Sequence, residues 1–299
     1  MAPLPDLSIV IPIHNEAPNL GELVREFTSV LTSAGRSYEI LLIDDGSTDG
    51  SFEILRELQA ADPRLRVIQF RRNFGQTAAF AARFAHARDR YIVTADGDLQ
   101  NDPADIPAML AHVEQGNDIV CGWRKDRKDT FINRRLPSMM ANKLISWATG
   151  VELHDYGCSL KVFRAEVVKP LRLYGEMHRF LPPLASEMGV KVSEQVVNHR
   201  ARKAGTTKYG ISRTLRVVLD LLTVKFLLSY STRPLQVFGL YGVGIGSVGT
   251  VICAWVAYEK YFTTWDGDRT WLLLLGILMI MTGCQLLTLG LLAELQSRT

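Results

Sequence analysis

The chain has 299 residues, 47% of them hydrophobic and 22% charged, with a formal net charge of +3. That charge is too small to argue for a nucleic-acid partner, and the composition fits a globular domain of about 230 residues followed by a greasier segment. Cys121, Cys158, Cys253 and Cys284 are scattered without C-x-x-C spacing, which argues against a zinc site or a disulfide framework.

Met1 to Asp6 is polar and proline-punctuated, so no signal peptide is expected before the first strand. Short apolar runs then alternate with helical patterns. They predict strands at 7 to 12, 38 to 43, 65 to 70, 90 to 95 and 117 to 121, and helices near 17 to 34, 50 to 61, 75 to 87 and 103 to 115. Near-continuous apolar strands such as Ile40-Leu41-Leu42-Ile43 imply burial on both faces, hence an α/β domain with a mostly parallel sheet. Ligands of such sheets bind at the carboxyl ends of the strands. The polar clusters lie there: His14-Asn15-Glu16, Asp44-Asp45-Gly46-Ser47, Arg72-Asn73-Phe74-Gly75, and Asp96-Gly97-Asp98-Leu99-Gln100.

The last cluster carries the clearest chemistry. Side chains two apart on extended chain point the same way, so Asp96, Asp98 and Gln100 can converge on one divalent ion, and hard oxygen ligands suit Mg²⁺ or Mn²⁺ carrying a diphosphate. The alternative is an Asx turn closing a strand. Neither G-x-G-x-x-G after the first strand nor G-x-x-x-x-G-K-[ST] occurs, so a nucleotide is held in another way.

Further along, 131 to 150 mixes Arg134, Arg135 and Lys143 with Phe131, Leu136, Leu144 and Trp147, the pattern of a helix lying in a membrane interface, and 214 to 230 reads likewise. The stretch from Arg124 to Arg135 alternates bases with Asp, and reads as a lid whose bases receive an acceptor phosphate or as a plain solvated loop. Leu235 to Tyr258 and Thr270 to Ala293 carry no charge, and each is long enough to cross a bilayer. Arg213, Arg216, Lys225 and Arg233 precede them, which places the large domain in the cytoplasm and the short loop outside. Glycines mark one face of each span: Gly239, Gly242, Gly246 and Gly249, then Gly276, Gly283 and Gly290.

The four strand-end clusters, with Asp155-Tyr156-Gly157-Cys158-Ser159-Leu160-Lys161, then Arg202 and Lys208-Tyr209-Gly210, then the two-helix hairpin, resemble family 2 glycosyltransferases of the GT-A fold. Among these the chain is similar to the polyprenyl-phosphate glycosyltransferases, such as dolichol-phosphate mannose synthase and the undecaprenyl-phosphate glucose and aminoarabinose transferases. The resemblance implies inverting transfer of a sugar from a nucleotide diphosphate, UDP in preference to GDP, to a polyprenyl phosphate, with Mg²⁺ or Mn²⁺. It implies a nucleotide-sugar site of Pro12, His14, Glu16, Ile43, Asp45, Asp96, Gly97, Asp98, Arg124, Arg202 and Lys208. His14 stands where the family commonly has tyrosine, and Gly97 where it more often has alanine. Asp96, Asp98 and Gln100 match the metal site; Asp155, Arg202 and Lys208 match catalytic positions, Asp155 as base or as orienting group; Arg134 and Arg135 are candidates for the acceptor phosphate.

The expected organisation is a cytoplasmic GT-A domain over 1–211 including an interfacial helix at about 131–150, a juxtamembrane amphipathic helix over 212–233, spans at 234–258 and 270–294, and an extracytoplasmic loop at 259–269. A multi-pass membrane protein, assembled as a homo-oligomer, is the expectation. Two rivals are a processive polysaccharide synthase, which would want Q-x-x-R-W where this chain has Met177-His178-Arg179-Phe180, and a non-catalytic scaffold or sugar-nucleotide sensor, against which Asp96, Asp98 and Gln100 argue.

Overall fold

Every residue of the first strand, β1 (Leu7–Ile13), is buried, as is every residue of β2 (Tyr38–Asp44) beside it. The computed structural model describes residues 5–84, 89–125, 136–171, 173, 175, 177–186, 188–201, 220–221, 223–226, 234–262 and 269–297. They form two units, Met1–Lys225 and Phe226–Thr299.

The first unit is built on a seven-stranded sheet that also contains β3 (Leu65–Gln69), β4 (Tyr91–Thr94), β5 (Ile119–Trp123), β6 (Lys161–Arg164) and β7 (Val192–Val196), in the order β3-β2-β1-β4-β6-β5-β7. All neighbouring pairs are parallel except β6, which runs against both β4 and β5. Helices α1 (Leu20–Ser33), α2 (Ser51–Ala61), α3 (Gln76–Phe84) and α4 (Ile106–Glu114) connect the first five strands. Their apolar residues fall at helical spacing: α1 buries Leu20, Leu23, Val24, Phe27 and Leu31, one stripe against the sheet. That stripe, Met109, Leu110 and Val113 of α4, and alternate residues of the buried strands such as Ile9, Ile11, Ile40, Leu42 and Val93 make one core.

Several boundaries differ from the sequence reading. The fourth strand stops at Thr94, because the Asp96 N–H turns to the Asn101 side chain (3.0 Å) and Leu99 adopts a left-handed φ of 61°. The fifth lies at 119–123 instead of 117–121. Asp118 is taken up by Lys191, its N–H on the Lys191 carbonyl (2.9 Å) and its carboxylate accepting the Lys191 N–H (2.8 Å), while pairing with β7 continues to Trp123. The third helix is described to Phe84, and 85–88 lie outside the described residues. Strands β6 and β7, the short helices α6 (Ala165–Val168) and α7 (Leu181–Ser186), and the antiparallel insertion were not anticipated. Of the expected interfacial helix, α5 (Leu136–Thr149) is described; it exposes Lys143, Leu144 and Trp147, the last at 79%. Of 212–233, residues 220–221 and 223–226 are described, all helical.

The second unit is a pair of long helices, α8 (Pro234–Phe262) and α9 (Thr270–Ser297), both long and apolar enough to cross a membrane, with mean hydropathy of 1.8 and 2.2 over their most apolar windows. Both outrun the uncharged stretches, since backbone hydrogen bonding continues through polar residues such as Glu259 and Lys260. Glycines set their contact. A methyl group at Gly242 would lie 2.7 Å from the Gly283 carbonyl oxygen, and one at Gly249 2.6 Å from that of Gly276. The glycine stripes therefore join the hairpin to itself, through backbones brought closer than any side chain allows.

Two substitutions test these contacts. Gly46, at φ +67°, sits where an added Cβ would come within 2.6 Å of the Arg72 carbonyl carbon, whereas Gly35, also at φ +67°, has nothing within 4 Å. Gly35→Ala should cost about 1–2 kcal/mol from the left-handed backbone alone, and Gly46→Ala measurably more in urea unfolding, because backbone must move. In α8, Gly249→Leu should lower the Tm of the detergent-solubilised protein by several degrees on the scale of about 2–4 °C per kcal/mol. Gly244→Leu, at a position with nothing within 4 Å, should leave it unchanged.

Candidate active site

The parallel strands deliver their carboxyl ends to one edge of the sheet. Because β6 runs the other way, it brings its amino end, Lys161, to that same edge, in register with Thr94 of β4 and Cys121 of β5. Loops following β1, β2, β4 and β5, and the loop preceding β6, therefore meet, as the general rule for such sheets requires.

On one side the loops after β1 and β2 are laced together. Asn15 (φ 57°) donates its N–H to the Ser47 hydroxyl (3.0 Å) and accepts the Thr48 N–H (2.8 Å); the Glu16 N–H reaches the Ser51 hydroxyl (3.1 Å). Asp45, nearly fully buried, accepts the N–H groups of Phe74 (2.7 Å) and Gly75 (2.8 Å), one on each carboxylate oxygen. His14 Nδ1 lies 3.0 Å from the Asp45 carbonyl oxygen, and the Glu16 carboxylate accepts from the Asn19 amide (2.7 Å). Pro12 and Ile43 are register partners in adjacent strands, both buried. Each carboxylate oxygen keeps further acceptor capacity beyond one N–H, so Asp45 holds the loop after β3 without using up its ability to meet a ligand.

At the centre stand Asp96 and Asp98. Asp96 accepts the Gln76 side-chain amide (3.0 Å); Asp98 closes an Asx turn by accepting the Gln100 N–H (3.2 Å). The chain is in a turn rather than extended past residue 94, so alternation along a strand does not apply to Asp96, Asp98 and Gln100. Gly97 packs against the end of β1, where an added Cβ would meet the Ile13 δ-methyl at 2.6 Å, a flexible tip that can rotate away. Burial first, and then the Asp98 charge, push the Asp96 carboxyl above the ordinary carboxylate range, while the Ser159 hydroxyl, Arg124 and Lys161 oppose the rise. Paired carboxylates in such surroundings suit a divalent cation, which relieves their repulsion. Among the described residues no cluster of three His, Cys, Asp or Glu side chains completes an all-protein metal cage. Two carboxylates plus substrate oxygens is the arrangement that fits these residues.

On the other side Arg124 follows β5. Its Nε donates to Asp155 Oδ2 (2.7 Å) and a terminal nitrogen to Oδ1 (2.9 Å), a two-pronged pair with Asp155 only 3% exposed. Burial works most strongly against the Arg124 charge, but the Asp155 hydrogen bonds and the attraction of the neighbouring acidic groups together outweigh it, and the guanidinium is held protonated more firmly than a free one. Gly157 leaves room for this pair: a methyl there would come within 3.3 Å of Arg124 and 3.9 Å of Arg179. Glu194 of β7 accepts the N–H groups of His154 (2.8 Å) and Asp155 (3.2 Å) and steadies that loop. After β7 the chain returns to the centre, with the Arg200 N–H on the Gln100 carbonyl (3.0 Å) and its guanidinium on Asp102 and Glu26.

Thus Pro12, His14, Glu16, Ile43, Asp45, Asp96, Gly97, Asp98, Gln100, Arg124 and Asp155 lie on the loops and strand ends of this one edge. Arg202, Lys208, Arg134 and Arg135 lie outside the described residues. A pocket beside Asp96 is lined by residues to which the sequence reading assigned no role, among them Gln76, Ser159, Lys161, His178 and Arg179. Ser159 and Lys161 belong to the run from Asp155 to Lys161, Gln76 directly follows the Arg72 to Gly75 cluster, and His178-Arg179 lie in the segment compared with Q-x-x-R-W; the sequence carries no signal of the antiparallel strand that brings them beside Asp96.

Comparison with known proteins agrees with this geometry. The family model described as Glycosyl transferase family 2 matches residues 8–172. The chain is 43% identical over 298 residues to a dodecaprenyl-phosphate galacturonate synthase of Rhizobium johnstonii, covering 98% of this chain and 88% of that one. It is 39% identical over 292 residues to an undecaprenyl-phosphate 4-deoxy-4-formamido-L-arabinose transferase of Shewanella sediminis, covering 96% and 86%. Among solved structures, a mannosyltransferase from Pyrobaculum calidifontis in complex with GDP-Man and Mn²⁺ shares the fold with a TM-score of 0.52 at 16% identity, over 96% of this chain and 88% of that one. A glucosyl-3-phosphoglycerate synthase from Mycobacterium tuberculosis, in complex with Mn²⁺, UDP and phosphoglyceric acid, does so with a TM-score of 0.55 at 16% identity, over 74% and 78%. With a matching family model over more than half its length and relatives aligned almost end to end, this chain belongs to glycosyl transferase family 2.

Proposed function

We propose that the protein transfers a sugar from a nucleotide diphosphate, UDP in preference to GDP, to the phosphate of a polyprenyl phosphate at the cytoplasmic face of a membrane, with inversion at the anomeric carbon. The observation that carries this reading is the convergence of the loops after β1, β2, β4 and β5 and the loop before β6 at one edge of the sheet, in a chain aligned nearly end to end with two polyprenyl-phosphate sugar transferases. The sugar is of one of the two kinds in those relatives' names, an acidic hexose or an amino-pentose derivative.

The nucleotide lies against the laced loops of Pro12, His14, Glu16, Ile43 and Asp45. Asp96, Asp98 and Gln100 would hold Mg²⁺ or Mn²⁺, which would supply positive charge against the diphosphate as it leaves. Arg202 and Lys208 supply further positive charge to the same group, and Arg134 and Arg135 meet the acceptor phosphate. That acceptor is already anionic at neutral pH and needs little deprotonation. Both Asp155 oxygens face the Arg124 guanidinium, which orients the carboxylate toward that side chain, and the role assigned to Asp155 is to aim Arg124 at the donor rather than to take a proton.

Helices α8 and α9 cross the bilayer as a hairpin, so the protein is multi-pass with its first unit cytoplasmic, and homo-oligomeric assembly is part of the same reading. The exposed Leu144 and Trp147 of α5, flanking Lys143, seat the first unit on the lipid surface.

The metal assignment is checked by Asp98→Ala, which should abolish transfer and sharply weaken metal-dependent donor binding in calorimetry; wild-type turnover in that variant, or full activity in EDTA, would sink it. For Asp155, Asp155→Asn should weaken donor binding about tenfold or more, the scale of a lost charge-assisted hydrogen bond, while retaining measurable transfer. Unchanged donor affinity with no turnover would make Asp155 the proton acceptor instead.

A further inference from the structure

Lys161 is 4% exposed, yet it lines the pocket beside Asp96. Its ammonium donates to the carbonyl oxygens of Tyr156 (3.3 Å) and Cys158. An ammonium has three donors, and the third has no protein partner among the described residues. Carbonyls are neutral, so these bonds leave the charge itself uncompensated; the attraction to Asp96 across the pocket offsets part of it. A buried charge without a paired counter-charge is expensive. The deficit grows when Asp96 shares its charge with a bound cation. The bound state of this pocket therefore calls for an anion at Lys161.

The remaining lining says which anion. Phe80, Tyr156 and Leu181 offer apolar surface, Gln76, Ser159 and His178 offer hydrogen-bonding groups, and Arg179 adds a second cation. That mixture suits the faces and hydroxyls of a sugar ring, whereas a diphosphate is met by the cation at Asp96 and Asp98.

We propose that Lys161 is a donor-binding residue whose ammonium takes a carboxylate oxygen of the donor's sugar, so that the sugar transferred is a uronic acid. This rests on the nucleotide-sugar reading above and adds the class of sugar and the residue that selects it. Gln76, Ser159 and His178 hold the hydroxyls while Lys161 reads the acid, and a sugar with a hydroxymethyl in place of the carboxylate leaves the ammonium unmet.

The test compares UDP-galacturonate with UDP-galactose, which differ only in that group, using the full chain in detergent with Mn²⁺ and measuring both binding by calorimetry and transfer to undecaprenyl phosphate. Wild type should prefer the uronate by at least about tenfold, the size of one charge-assisted hydrogen bond. K161Q, whose amide can still donate to both carbonyls but carries no charge, should lose that preference while its galactose affinity stays level. Should K161Q fail to fold, K161R, which keeps the charge, should keep the preference, and its loss there would overturn the proposal. Equal binding of both donors by wild type, or an equal fall for both in K161Q, would also overturn it, the latter placing the charge against the diphosphate. If neither these donors nor other UDP- and GDP-sugars bind or react, it is the nucleotide-sugar reading that fails.

Discussion

The two-pronged ion pair between Arg124 and Asp155 is the interaction on which the geometry of the catalytic edge depends. It joins the end of β5 to the loop that enters β6, and it does so in a nearly water-free setting. Such a pair is weak evidence of net stability, since desolvating two charges offsets most of their attraction, but removing one partner is costly because the other is stranded. Its value is directional. A carboxylate met by two N–H groups of a planar guanidinium is held in the plane of that group, so the pair restricts how the 155–160 loop leaves the sheet, and with it where Ser159 and Lys161 stand relative to Asp96.

The reversed strand makes this possible. In an all-parallel sheet, a loop leading into a strand lies at the far edge from the ligand. By inserting β6 against the grain between β4 and β5, the fold turns that lead-in loop around and places it opposite the loop after β4. On the other side, Asp45 does the corresponding work without a cation: its carboxylate gathers two backbone N–H groups of the loop after β3. The two halves of the site are thus held by different chemistry, backbone amides on the Asp45 side and a guanidinium on the Asp155 side. Gly46 and Gly157 mark where side chains would block these approaches.

The helix pair of the second unit follows separate physics. Lipid gives apolar helices no hydrophobic reason to associate, so contact depends on close packing of backbones. Gly242 against Gly283 and Gly249 against Gly276 provide it, while the large apolar side chains of both helices remain exposed. The stripe is visible in the sequence, but whether it faces the neighbouring helix or another chain is a question of rotation about the helix axis, which glycine spacing alone leaves open.

The sequence by itself determined the α/β alternation, the carboxyl-end location of the polar clusters, among them the two carboxylates Asp96 and Asp98, and the two apolar helices. Each is a local property: buried strands are apolar throughout, helices repeat their apolar residues at 3.6, and a bilayer excludes charge. Only the tertiary structure decided that Lys161-Val162-Phe163-Arg164 is a central antiparallel strand, since four residues with a charge at each end show no strand pattern of their own and gain it from β4 and β5 on either side. It also decided that Asp155 belongs to Arg124, a pairing across thirty-one positions, and that Gln76, Lys161, His178 and Arg179 share a pocket with Asp96. Chain order carries no distance between such residues; strand direction and register do, and these are set by the burial of the whole sheet.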